Sequence, residues 1–252
     1  MATEPDPAPD GEHERDGELA VGVGPWPGGP AAWPTHEHDE HGEHGELDDR
    51  YDPELLTSGD RRNVLDRYRY WRVEAIVADL DTRRAPLHVA WENLTRDLNI
   101  GSVVRTANAY NVAGVHVVGR RRWNRRGAMV TDRYLHVHHH AGPAELARWA
   151  REAGLAVVGL DNVPGSVPLE RGGLPRHAML VIGSEGTGLS AELLAACDEV
   201  RHITQYGSTR SINAGAAAAI GMYAWAREHL PLPEQPEGPE QPDPPEPSSQ
   251  HG

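Results

Sequence analysis

The stretch Leu180-Val-Ile-Gly183-Ser-Glu185-Gly186-Thr-Gly188-Leu-Ser190 decides how the chain is read. An apolar run over 178–182 suits a central strand of a parallel sheet. It ends in a glycine loop, and Ser190 can cap a helix running to about Cys197. Glycines there permit positive φ and close approach of backbone to a ligand. The loop lacks the Gly-Lys-Ser/Thr ending of a phosphate-binding P-loop, and it stands too late in the chain for a dinucleotide fingerprint. Without other context it also reads as an ordinary strand-to-helix turn with Glu185 in the first helical turn.

Outward from this loop, strands and helices alternate. Strands are expected over 87–91, 115–119, 135–137, 155–160 and 199–205. Helices are expected over 100–110, 144–153 and 211–229, with an amphipathic lead-in over 64–80. Alternation of this kind means an α/β fold, an open and mostly parallel sheet with helices on both faces. Ligands of such sheets bind beyond the carboxyl ends of the strands.

Two further stretches fall at strand-to-helix junctions: Asn99-Ile-Gly-Ser-Val-Val-Arg105-Thr-Ala-Asn108 and Ser211-Ile212-Asn213-Ala-Gly215. In this order and spacing the three stretches resemble the signature motifs of the SpoU (TrmH-type) RNA ribose 2′-O-methyltransferases of the SPOUT superfamily. The resemblance covers roughly residues 86–230. It implies a C-terminal trefoil knot, which periodicity could not foretell. It also implies S-adenosyl-L-methionine as cofactor, a structured RNA (tRNA or rRNA) as partner, a homodimer, and chemistry that needs no metal. On it, Arg105, Asn99, Glu185 and Asn213 are the catalytic set. Gly183, Ser184, Gly186, Ile203, Ser211, Ile212 and Leu160 would hold the cofactor. The third motif departs from the usual Ile-Pro-Met lead and Ser-Leu-Asn-Val-Ser core, reading Ile203-Thr-Gln-Tyr-Gly207-Ser-Thr-Arg210 before Ser211.

The residues admit plainer readings too. Arg105 could be an exposed helix charge, and Asn99 a helix cap bonding a free amide. Ser211 could cap an Ala-rich packing helix. An arginine is costly to deprotonate, so phosphate clamping and hydroxyl orientation suit Arg105 better than general base. The run Arg120-Arg121-Arg122-Trp123-Asn-Arg125-Arg126 reads as a charged surface loop or, with Arg210, as an RNA contact. In the latter case its forks take phosphates and Trp123 stacks on a base. His136, His138, His139 and His140 read as solvated or substrate-facing.

Charge separates the chain into parts. Residues 1–54 carry 16 acids against Arg15 and Arg50, and 231–252 carry five acids and no base. Both ends are expected to stay disordered, leaving a lead-in over 55–85 and the methyltransferase domain over 86–230. The whole chain sums to −14, whereas 55–230 sums to +5, compatible with a polyanion. Cys197 is the single cysteine, which excludes an intrachain disulfide or thiolate cluster. No run spans a bilayer and the acidic start is unlike a leader, so a cytoplasmic protein is expected, with no membrane or DNA partner. The function that the resemblance implies is methyl transfer to a ribose 2′-OH, with tRNA mildly favoured over rRNA because residues 1–85 look too disordered to hold the separate RNA-binding domain that several rRNA-modifying members of the family carry. A catalytically inactive RNA-binding protein of the same fold is the alternative.

Overall fold

The computed structural model describes residues 22–36, 45–93, 99–184 and 186–232, in two compact units that divide after Asp79.

The second unit is built on one sheet of seven strands, all paired in parallel. They are β1 (Ala85–Asn93), β2 (Val112–Gly119), β3 (Val137–His140), β4 (Ala156–Leu160), β5 (Val167–Pro168), β6 (Ala178–Ile182) and β7 (Glu199–His202), in spatial order β3-β2-β1-β6-β4-β7-β5. β6 is buried at every position, as its unbroken apolar run requires of a strand covered on both faces.

Four helices cover the sheet: α3 (Ile100–Ala109), α4 (Pro143–Glu152), α5 (Ala191–Ala196) and α6 (Ala214–His229). Ile100, Val104, Met222 and Trp225 of α3 and α6 pack on Leu87, Val89, Leu180 and Ile182. Leu146, Ala150 and Leu193 of α4 and α5 pack on Ala90, Met179 and Val181 across the sheet. The alternate residues of β1 thus feed two separate cores. Gly221 brings α6 so close to β4 that a Cβ there would stand 2.5 Å from Leu160 Cδ1.

Several expected boundaries move. β3 begins at Val137 rather than 135, after a short helical turn at Thr131–Tyr134. β7 ends at His202, and α6 starts at Ala214 because Asn213, not Ser211, caps it. β5 is two residues long, too short for any periodicity to register.

The first unit corrects the expectation of disorder over 1–54. Residues 22–36 and 45–54 are folded, with isolated antiparallel bridges at Val23–Asp60, Thr35–Leu47 and Tyr51–Trp71. Their core is aromatic: Trp26 meets Tyr51 and Tyr70 edge-on at 5.9 and 5.3 Å, and Tyr68 meets Trp71 at 5.5 Å. Aromatic rings bury large area per residue, so few of them offset an acidic, Gly- and Pro-rich composition. Asp60, wholly buried, accepts from the Arg62 guanidinium and from the amides of Arg62 and Tyr70. That last bond holds Tyr70 at φ 65°. The expected 64–80 helix is therefore broken, and only α2 (Val73–Asp81), preceded by α1 (Pro53–Ser58), is α-helical there. The unit boundary falls at 79/80 instead of 85/86. Residues 1–21, 37–44 and 233–252 lie outside the described residues, so the disorder expected there is not addressed.

Candidate active site

β6 hands over to a loop that closes on itself. Ser184 and Gly188 exchange amide-to-carbonyl hydrogen bonds of 3.1 and 3.0 Å. The closure needs glycine at 183, where a Cβ would lie 2.0 Å from the Gly188 carbonyl carbon. Gly188, at φ +68°, leaves space that Asp161 fills, and Asp161 Oδ2 accepts from Leu189 N at 2.8 Å. Ser184 Oγ donates to the Glu92 carbonyl at 2.7 Å. The loop is thus tied to both strands that flank β6. Ser190 caps α5 by accepting from Leu193 N, as expected.

The first and third motifs meet through their asparagines. Asn213 Oδ1 accepts from Ala216 N and caps α6, while its Nδ2 donates to Asn99 Oδ1 at 3.0 Å. Asn99 stands at the N-cap of α3 without a side-chain cap bond, correcting the expectation that it satisfies an amide there. Ahead of α6 the Arg210 carbonyl accepts from Gln205 Nε2 and Asn162 Nδ2, which folds residues 203–213 inward.

Between these loops, beyond the carboxyl ends of β4, β6 and β7, lies a cavity of about 560 Å³. Leu160, Gly183, Ser184, Gly186, Ile203, Ser211 and Ile212, the whole expected cofactor set, line it together with Asn213 and Arg210. The lining joins apolar side chains (Leu160, Ile182, Ile203, Ile212, Ala217) with polar ones, the mixture usual for a small-molecule site. Asp161, Asn162, Arg201, His202 and Gln205 also face it and were missed. Position was the available signal, since each stands at or just past the end of β4 or β7. Arg201 is held by the Glu199 carboxylate at 2.8 Å and donates to the Gly172 carbonyl.

Arg105 sits exposed on α3 and is not among the residues that line the cavity. Glu185 lies outside the described residues. Arg120, Arg121, Arg122, Arg125 and Arg126 are all exposed after β2. Trp123 is half-buried against the core, with the Arg125 guanidinium 5.6 Å from its ring centre. One ring contact expected from a base is therefore already made by a cation.

Of the histidines read as solvated or substrate-facing, His136 is exposed and meets Asp81 at 2.8 Å, whereas His140 is buried, which corrects that reading for His140. His88 Nδ1 meets His116 Nε2, and His116 Nδ1 meets His140 Nε2, each at 2.9 Å, in a chain across β1, β2 and β3. Trp149 covers it, its ring 4.4 Å from His116. Burial, then the neighbouring imidazoles, pushes His116 down to about 2; burial and His138 push His88 down to about 4. Among the described residues no group of three or more His, Cys, Asp or Glu is arranged to hold a metal, and no helix is long and apolar enough to cross a membrane.

The sequence profile of the SpoU rRNA methylase family matches residues 86–223. The chain belongs to that family. The SpoU region begins one residue inside β1 and ends within α6, so it contains every residue that lines the cavity. Among relatives, an uncharacterized tRNA/rRNA methyltransferase of Mycolicibacterium vanbaalenii is 32% identical over 175 residues, covering 64% of this chain and 53% of its own. The chain thus spans about half the length of the curated relatives it matches. Among solved structures, the TrmH/SpoU tRNA modifying enzyme of A. aeolicus shares the fold, with TM-score 0.56 and 22% identity over 62% of this chain and 82% of that one. The SpoU methyltransferase AviRb of Streptomyces viridochromogenes, solved in complex with AdoMet, is 28% identical with TM-score 0.50, over 58% of each chain.

Proposed function

We propose that the chain is an S-adenosylmethionine-dependent methyltransferase that modifies a ribose 2′-hydroxyl of structured RNA. The observation that carries this reading is the single cavity into which all seven residues marked by the family motifs converge. Its size and its mixed lining of apolar side chains, polar side chains and glycines suit a nucleoside-sized ligand. The methyl itself comes from the sulfonium of S-adenosylmethionine. The chain supplies the rest. Backbone around Gly183 and Ile212 holds the cofactor, and the Asn99–Asn213 bond fixes the α3 and α6 termini beside it. Arg105 clamps an RNA phosphate and orients the 2′-hydroxyl. Glu185 belongs to the same site in this reading. Holding nucleophile and donor in line contributes several kcal/mol of rate enhancement. Arg210 and the arginines at 120–126 supply phosphate contacts.

The preference for transfer RNA rested on an N-terminal third without a fold. With residues 22–36 and 45–79 folded that ground is gone, and both RNA classes stand. The proposal includes the family's threaded knot, a cytoplasmic setting and a homodimer. The exposed Ile220 and Tyr223 of α6, 40% and 58% accessible, support the dimer.

The test uses the purified full chain, titrated calorimetrically with S-adenosylhomocysteine and with ATP, then incubated with methyl-labelled cofactor and tRNA, rRNA or DNA. Binding of the homocysteine nucleoside but not ATP, with label entering RNA alone, is expected. RNA binding without any transfer would favour a non-catalytic RNA-binding protein.

A further inference from the structure

Glu92 and Asn93 are consecutive, polar and each only 1% exposed at the carboxyl end of β1. Consecutive strand residues point to opposite faces, so the pair reaches two different places. On one face, Glu92 Oε2 accepts from Ser190 N at 2.8 Å, and the Glu92 carbonyl accepts from Ser184 Oγ at 2.7 Å. One residue therefore grips both ends of the glycine loop, and its carboxylate lies at the start of α5. On the other face, Asn93 Nδ2 donates to the carbonyls of Arg120 and Arg122 at 2.6 and 3.1 Å, and the Asn93 carbonyl accepts from Arg120 N. The chain leaves the sheet there, since Gly119, paired with Asn93, turns at φ +91°.

We propose that Glu92 and Asn93 are positioning residues, Glu92 for the cofactor loop and Asn93 for the arginine loop, which set both at a fixed separation from one strand end. The inference rests on the methyltransferase reading above. A buried carboxylate or amide at a sheet end is costly unless its bonds are made. Here the bonds go to the two loops that the reaction must bring together. Neither residue touches the cavity, so each acts through the loop it holds.

The two arms separate cleanly. Glu92→Ala removes the acceptor, whereas Glu92→Gln keeps one oxygen for Ser190 N. Asn93→Leu keeps the shape and removes both donors; if it fails to fold, Asn93→Asp replaces it. Losing such a buried bond corresponds to about tenfold in an equilibrium constant. Glu92→Ala should weaken S-adenosylhomocysteine binding by about that factor, with Glu92→Gln recovering most of it and unfractionated tRNA binding unmoved. Asn93→Leu should weaken tRNA binding at fixed salt and leave S-adenosylhomocysteine binding unmoved. Hydrogen exchange should quicken only over 183–190 in the first case and only over 120–126 in the second. If both ligands weaken together in either variant, or exchange changes everywhere or nowhere, the proposal is overturned. A wild-type chain that binds no S-adenosylhomocysteine would instead sink the methyltransferase reading, and the exchange patterns alone would then decide the positioning roles.

Discussion

Asn213 Nδ2 donates to Asn99 Oδ1 across 3.0 Å, joining the residue that opens α6 to the one that opens α3, 114 positions earlier. Asn213 works twice, because its Oδ1 also caps α6 through Ala216 N. Asn99→Ala removes the bond to Asn213, at about 1 kcal/mol. Asn213→Ala should cost about 1 kcal/mol more, since the cap goes too. Urea midpoints of both single variants and the double variant measure this. Losses that simply add in the double variant would contradict the shared bond.

The glycine loop yields a contrast within four residues. Gly183→Ala places a methyl on the Gly188 carbonyl and should force the loop open, costing about 3 kcal/mol and the cofactor site with it. Gly186→Ala meets no atom within 4 Å and only the strain of φ +90°, about 1 kcal/mol. Thermal melts with and without S-adenosylhomocysteine should show a ligand-induced rise for Gly186→Ala and none for Gly183→Ala.

Stability should fall with acid before carboxylates begin to titrate. His88 and His116 are neutral in the fold, with values of about 4 and about 2 against an ordinary 6.5. The unfolded chain therefore binds more protons below 6.5, and stability is lost as pH drops from there towards those values. For the fully buried His116 the slope is about 1.4 kcal/mol per pH unit. Denaturant midpoints between pH 7.5 and 4.5 test the sign. A flat profile would mean that the imidazoles are solvated.

Much of the second unit was legible in the sequence because its signals are local. The β6 run, the Ser190 cap and the 3.6-residue apolar rhythm of α3 and α4 each lie within a short window. Of the seven cofactor positions, Leu160, Gly183 and Ser184 lie at strand ends, Ile203 lies just past β7, and Gly186, Ser211 and Ile212 lie in the loops leading into α5 and α6; all seven line one cavity. What escaped depends on distant partners. Asn99 looks like a cap until Asn213 arrives to take its Oδ1. Glu92 looks like a strand-end charge until Ser190 is beside it. The first unit stayed hidden because acids dominate its composition. Its order comes from Trp26, Tyr51, Tyr68, Tyr70 and Trp71, spread over 46 residues.

That aromatic unit hangs on Asp60. Burial raises its carboxyl, but bonds from Arg62 and from the amides of Arg62 and Tyr70 outweigh burial and hold it below the ordinary value. Asp60→Ala removes the carboxylate that Arg62 and the amides of Arg62 and Tyr70 share, and with it the bond that fixes the left-handed backbone of Tyr70. A loss of about 3 kcal/mol is expected, a large share of what a unit this small can have. In calorimetry the variant should lose or lower one transition while the transition of residues 80–232 remains. Unchanged melting would show that Trp26 and its neighbours do not form a core.

Arg105 tests the central claim most directly. Wild-type chain and Arg105→Ala are incubated with methyl-labelled S-adenosylmethionine and total cellular RNA, the RNA is digested to nucleosides, and label is assigned to ribose or base. The account predicts label only in 2′-O-methylnucleosides for the wild type. For Arg105→Ala it predicts a rate at least about a hundredfold lower, with cofactor affinity unchanged, because the arginine engages RNA and not the donor. Label on a base, or an Arg105→Ala chain as active as wild type, would contradict it.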